Sequence, residues 1–269
     1  MIRGIDHLVL AVRDLSAARD FYAGLGFTTT PVARHPWGTE NVLVQFDGAF
    51  LELLAVADAA AIPEHGPGRF SFGAFARDAV ARGEGCAMLV LDSADETADR
   101  ADFAARGLPL FEPFRFERIA RRPDGTERTV AFSLTFTASP EMPEIGFFTC
   151  RQHYPENFWN PAFQTHANGC TGVDAVILAA ADPAAVAPFL AAFAGGTARE
   201  EDGAVVVETA RGRLEVETPA ALATRYGAAA LPADAGTPRI VAIRFRGAGN
   251  GSRVVPASAA FGTTLILPR

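Results

Sequence analysis

Cysteine is scarce in this sequence: three residues in 269, Cys86, Cys150 and Cys170, far apart and without CxxC spacing. That argues against a disulfide framework or a thiolate zinc site, and a reducing cytoplasm is the expected compartment. No apolar run approaches the roughly 20 residues of a membrane span, and no charged leader with an apolar stretch opens the chain, so a soluble protein is expected. Excess positive charge is missing too. The formal net charge of -7 repels phosphate backbones and anionic membranes, which sets aside nucleic acid and membrane as partners. Gly-rich phosphate loops are absent, since AGNG at residues 248–251 lacks a strand-loop-helix context and reads as a turn. No cysteine carries the signature of a nucleophile with a nearby histidine, and Cys150 reads as a small apolar residue of a core or pocket.

What the sequence does contain is a repeat. Residues 5–12 are rich in Leu and Val, Asp14 follows as a helix N-cap, and Leu15, Ala18, Tyr22 and Leu25 recur at helical spacing before Gly26. Strands are predicted at 28–33, 41–46 and 49–56, the last two joined by an Asp47-Gly48 turn. The pattern returns from Gly85: a strand over 86–91, a Ser93–Glu96 capping box, a helix to Gly107, a hairpin of 114–121 and 127–137 around Pro123-Asp124-Gly125, and a last strand over 144–152. A third copy aligns without gaps, GVDAVILAAADPAAVAPFL on GIDHLVLAVRDLSAARDFY. It pairs Asp6 with Asp174, Asp14 with Asp182 and Phe21 with Phe189, and Leu214-Glu215 falls opposite Leu51-Glu52. Residues 239–246 and 263–267 read as strands of a fourth copy whose helix is missing or shortened. The expected class is α+β, with tandem βαβββ units forming open cup-shaped mixed sheets, because each unit leaves a sheet face bare until it pairs with another. The expected layout is 1–152 for units one and two, 153–171 for a connecting loop, and 172–269 for unit three and the partial fourth.

These units, opening with GIDHLVLAVRDLSAARDFYAGLGF and closing with FLELLAV, resemble the vicinal oxygen chelate superfamily of glyoxalase I, extradiol dioxygenases and bleomycin-resistance proteins. The stretch CRQHYPENFWNPAFQTHANG resembles a bacterial glyoxalase-like group within it. The resemblance implies that metal ligands come from the first and last strands of each unit, which places His7 and Glu52 in ligand positions of the first unit. Alternation puts Ile5, His7 and Val9 on one strand face and Phe50, Glu52 and Leu54 on one face of another. Taken alone, His7 reads equally as a core histidine bonded to a neighbour. A carboxylate between Leu51 and Leu53 needs a partner, whether a metal, His7 or an arginine.

The second unit departs from the pattern, with Cys86, Ala87 or Met88 where a histidine is expected and Thr149 or Cys150 where a carboxylate is expected. A four-ligand glyoxalase I site is therefore not expected. His153 is the candidate third ligand, or else a strand-end residue bonding Asn157 or Trp159. Phe148, Cys150 and Gln152 on the last strand and Trp159, Asn160, Gln164, His166 and Asn168 in the connecting loop are candidate substrate-binding residues, although the loop also reads as a belt packed across the outside. Ala175 replaces His7 in the third unit, and Glu215 reads as lying on a solvated face. His35 and His65, in Pro/Gly-rich loops, are expected to be exposed, and Arg115, Arg118, Arg121 and Arg122 to form a solvated edge, with Arg115 open to an anionic substrate.

The resemblance implies a metal-assisted enzyme of lyase, isomerase or dioxygenase type acting on a small oxygenated organic molecule, with Zn, Fe, Mn or Ni as the divalent metal. The alternative is a metal-free binding or sequestering protein of the bleomycin-resistance type. The expected partner is a small-molecule substrate, and the protein is expected to be a monomer or homodimer.

Overall fold

Asp14 and Asp182 cap the helices behind them. Each carboxylate accepts from first-turn backbone N–H groups, at α1 (Leu15–Gly24) and α5 (Pro183–Ala194). In the second unit Asp95 caps α3 (Glu96–Ala105) instead of the expected Ser93–Glu96 box, because Glu96 is already helical and Asp95 accepts from Thr97 and Ala98. The molecule is seen in a computed structural model that describes residues 2–121, 125–233, 236–249 and 251–269. The tip of the expected Pro123-Asp124-Gly125 turn, with Arg122, lies outside the described residues.

The first sheet contains β1 (Ile5–Ala11), β2 (Ala33–Arg34), β3 (Thr39–Gln45), β4 (Phe50–Val56), β5 (Gly85–Asp92), β6 (Phe114–Arg121), β7 (Glu127–Thr137) and β8 (Gly146–Gln152), in the order β2-β3-β4-β1-β5-β8-β7-β6. Its two units meet along the antiparallel β1–β5 pair, while β1–β4 and β5–β8 run parallel. The second sheet repeats this plan with β9 (Cys170–Ala179), β10 (Ala198–Glu201), β11 (Ala204–Glu208), β12 (Arg213–Glu217), β13 (Arg239–Gly247), β14 (Ser252–Val255) and β15 (Thr264–Pro268), in the order β10-β11-β12-β9-β13-β15-β14. Among the described residues no helix stands between β13 and β14, so the fourth unit is reduced to strands.

Several elements differ from the sequence expectation. Residues 28–32 do not pair as a strand: Thr28 donates its N–H to His166 Nδ1, and Pro31 has none to give. Helix α2 (Phe72–Arg82), capped by Ser71, is an unexpected helix between β4 and β5. Short α4 (Pro155–Phe158) lies in the connecting segment, and α6 (Pro219–Tyr226) precedes β13.

The helix-covered faces of both sheets share one core, where Leu8, Leu10, Leu51 and Leu53 join Leu178, Leu190 and Phe193. Arg3 ties this junction together. Its buried guanidinium donates to Asp99 at 2.9 and 3.0 Å, to Asp102 at 2.8 Å and to the Phe193 carbonyl at 3.1 Å. The opposite face of each sheet is concave. In the first sheet it carries an aromatic cluster that includes Phe72, Phe132, Phe136 and Phe148, and in the second a smaller aliphatic one around Ala175 and Ile177.

Candidate active site

The cup of the first sheet holds His7 and Glu52 as the strand pattern predicts, but one local irregularity decides how His7 is held. The β1–β5 register skips a residue between Ile5 and His7. This bulge sends Ile5 into the helix-side core, not onto the face of His7 and Val9, and frees Asp6 to lie beside His7. Asp6 Oδ2 is 2.6 Å from His7 Nδ1, and Gln152 Nε2 donates to Asp6 Oδ1 at 3.3 Å. A carboxylate can only accept from Nδ1–H, so the neutral imidazole turns its lone pair at Nε2 inward. Phe50 stacks on the ring at 4.2 Å between centroids, and Phe148 meets it edge-on at 5.6 Å.

Glu52 Oε2 lies 3.9 Å from His7 Nε2. Asn41 Nδ2 donates to Glu52 Oε1 at 2.5 Å and reaches His35 Nε2 at 3.4 Å. Burial pushes the Glu52 carboxyl above the ordinary carboxylate range, against the opposing pull of His7, the Asn41 hydrogen bond and Arg118. His35 contradicts its expected exposure: its side chain is 6% exposed, stacked on Trp37 at 4.7 Å and bonded to Thr39. Burial first and the Arg118 charge second push its pKa down to about 3, so it is a neutral acceptor at physiological pH. An open pocket surrounds these groups, and a larger groove lies against it, sharing Asn41, Leu43, Arg118 and Phe158 with it.

The other expected site residues divide into two groups. Phe148 and Cys150 line the cavity, and Gln152 supports it through Asp6. His153 does not join His7 and Glu52. It follows Thr149 and Arg151, which bond Asp99 and Glu96 of α3, and its own Nε2 lies 2.8 Å from Ser133 Oγ on that helix side. Trp159 packs against Phe50 and Phe158, and Asn160 lines the outer groove and donates its N–H to Gln45 Oε1. Gln164, His166 and Asn168 fasten the connecting segment to the first unit, donating to the carbonyls of Phe46, Gln45 and Leu25.

His166 also accepts the Thr28 N–H at 3.0 Å, which requires an unprotonated Nδ1. Burial pushes its pKa below the ordinary 6.5, against the bond to Gln45. The stability this fastening contributes is therefore complete above about pH 6.5 and is lost as pH falls through the lowered folded-state value. The hydrogen-exchange protection of the Thr28 amide should accordingly drop in mild acid while that of Leu10 holds.

The donor set is asymmetric between units. Register equates Val9↔Glu52 with Val90↔Phe148, so Phe148 stands where the second unit would carry its carboxylate, not Thr149 or Cys150, and Met88, two residues before Val90, takes the place that His7 holds before Val9. The metal fit must therefore come from the first unit. His7 Nε2 and Glu52 Oε2 are 3.9 Å apart, a span that two metal–ligand bonds of about 2.0–2.2 Å can bridge, and Asp6 and Asn41 brace them from behind. Asp6, His7 and Cys150 also place buried donor atoms within 4.8 Å of one another, a second donor set in which Cys150 would give up the proton that burial favours.

The second cup is an internal control. Ala175 takes the place of His7, and Glu215, paired with Ile177, takes the place of Glu52. Glu215 is 1% exposed, not solvated as expected, and it is neutralised within the fold: Arg213 lies at 2.6 Å, Arg244 at 2.5 Å and Arg225 at 3.3 Å. Arg244 also bonds Asp174, the counterpart of Asp6, at 2.7 Å. One built-in cation thus bridges the pair of carboxylates that His7 separates in the first cup.

The family described as a glyoxalase-like domain matches residues 5–194. No curated protein matches. Among solved structures, a hypothetical protein from Staphylococcus aureus is 14% identical and covers 99% of this chain and 98% of its own, with a TM-score of 0.72. A xylose isomerase-like TIM barrel/4-hydroxyphenylpyruvate dioxygenase fusion protein is 16% identical over 91% of this chain and 36% of its own, with a TM-score of 0.53. At these identities the likeness is one of fold.

Proposed function

Because the chain belongs to the glyoxalase-like domain family, we propose that its first cup is the active site of an enzyme acting on a small oxygenated organic molecule, with a divalent metal held by His7 and Glu52. The observation that carries this reading is the contrast between two carboxylates at one position of the repeat. Glu215 has three arginines, whereas Glu52 has an amide and two histidines, His7 Nε2 at 3.9 Å from Oε2 and His35 Nε2 at 3.8 Å from Oε1, and forms no ion pair with an arginine among the described residues. A buried carboxylate so placed needs a cation or a proton.

When bound there, a divalent metal supplies Lewis-acid polarisation of substrate oxygens. The chain supplies the rest. Asp6 holds the Nδ1 proton of His7 and keeps Nε2 available, and Asn41 fixes the Oε1 end of Glu52. Oε2, the oxygen facing His7 Nε2, is the one left to complete the metal site, and the aromatic walls hold the body of the substrate beside it.

The test is calorimetric titration of chelator-treated protein with Zn²⁺, Mn²⁺, Ni²⁺ and Fe²⁺. The proposal expects one saturable site per chain for at least one ion. Uptake of none would favour the metal-free binding protein, the reading that Met88 and Phe148 support by their lack of hard donors.

A further inference from the structure

The reading above leaves Arg118 unused. It enters the cup from edge strand β6, opposite Val130, and lines both the inner cavity and the outer groove. The chain has no lysine, and Arg118 is the one arginine among the residues lining the inner cavity. Its Nε is buried without a hydrogen-bond partner, and none of the ion pairs among the described residues includes it. Arg239 Nε is likewise without a partner, but it lies outside the first cup and its Nη1 donates to the Ala233 carbonyl. Arg3 is paired with Asp99 and Asp102, and Arg244 with Glu215 and Asp174. Glu52 is felt by Arg118 only at longer range.

A guanidinium held among aromatic rings with a donor idle is costly unless an anion meets it. Its planar fork matches a carboxylate better than any other small anion-bearing group of organic molecules except phosphate, and the cavity it faces is walled by Trp37, Phe72, Phe116, Phe132 and Phe158, which suit an apolar body and not a phosphate's hydration. Orientation follows from Arg118, which lines both the cavity and the groove and so sets the end at which a carboxylate sits.

We infer that the molecule this cup takes is a small carboxylic acid with an apolar, ring-sized body, its carboxylate on Arg118 and its body against the phenylalanines. The inference rests on the reading of the first cup as the substrate site, and it makes Arg118 a specificity-determining residue.

Binding of phenylacetate and of its neutral analogue phenylacetamide, measured by calorimetry on the protein as purified, tests it. A charge-assisted pair predicts that the acid binds roughly tenfold or more tightly than the amide. In Arg118→Gln the acid loses that advantage while the amide is unchanged. Equal affinities in the wild type, saturable binding of neither probe, or an acid preference that persists in Arg118→Gln would each overturn the inference. The wild-type comparison needs no variant, so poor folding of Arg118→Gln leaves the test standing. Metal content is scored separately on the same preparation. Acid preference without metal counts against the metal reading alone, and metal without acid preference counts against this inference alone.

Discussion

Glutamine in place of Glu215 lowers the free energy of unfolding by about 3–5 kcal/mol, whereas the same change at Glu52 leaves the metal-free protein at least as stable at neutral pH. The two residues occupy one position of the repeat, so the difference lies in their partners. Glu215 is surrounded by Arg213, Arg225 and Arg244, and removing its charge strands a cluster of guanidinium groups at the floor of the second cup. Burial pushes its carboxyl up, but the Arg244 hydrogen bonds and the three charges outweigh that and hold it below the ordinary 4.5. Its contribution is therefore present above pH 4.5 and is lost as pH falls through the lowered folded value. Glu52 has the opposite sign. Its raised pKa means that the folded state retains the proton, so ionisation costs stability as pH climbs from 4.5 through the raised value. Urea unfolding as a function of pH should show the Glu215→Gln deficit shrinking as pH falls below 4.5 and constant above it, and an advantage of Glu52→Gln opening as pH climbs above 4.5. Equal deficits for the two variants would mean that Glu52 is a structural group like its counterpart.

Alanine at His7 should abolish metal binding, and asparagine at Asp6 should weaken it by about 10–100-fold. His7 supplies the imidazole nitrogen facing Glu52 Oε2, while His35 faces Oε1 and is already bonded to Thr39 and Asn41, and in the second unit Met88 and Phe148 occupy the places corresponding to His7 and Glu52. Asp6 acts one bond further back, through the 2.6 Å contact that keeps the proton on Nδ1. An amide there can still accept that proton but withdraws the charge that makes the imidazole a better donor. Both changes spare the fold's repeat pattern, because Ala175 already stands where His7 would be in the third unit. Competition with a chromogenic chelator gives the affinities, and an undiminished affinity in His7→Ala would place the metal elsewhere.

The repeat was legible because its signals are local: Asp14 and Asp182 cap their helices, and the gapless match of the first and third copies carries through to the parallel β1–β4 and β9–β12 pairs. His7 and Glu52 followed from strand parity on that frame. What escaped the sequence was set by irregularity and by distance. The bulge that brings Asp6 beside His7 breaks the alternation on which parity arguments depend, and it turned Ile5 to the opposite face. His153 is the opposite case, since unbroken parity counted from Thr149 and Arg151 places it with α3 and away from the cup. His35 and Arg118 looked like loop and edge residues because the aromatic walls that bury them, Trp37, Phe72 and Phe116, lie on separate elements. Glu215 looked solvated because Arg244, its strongest partner, comes from the fourth unit, 29 residues along the chain.

The most direct measurement is the shift in unfolding temperature produced by a divalent metal in the wild type and in Glu52→Gln. A ligand that binds only the folded state stabilises it by about 2.7 kcal/mol at a hundredfold excess over its dissociation constant. The account predicts a rise of that order for the wild type and none for Glu52→Gln; an equal rise in both, or no rise in either, would contradict it.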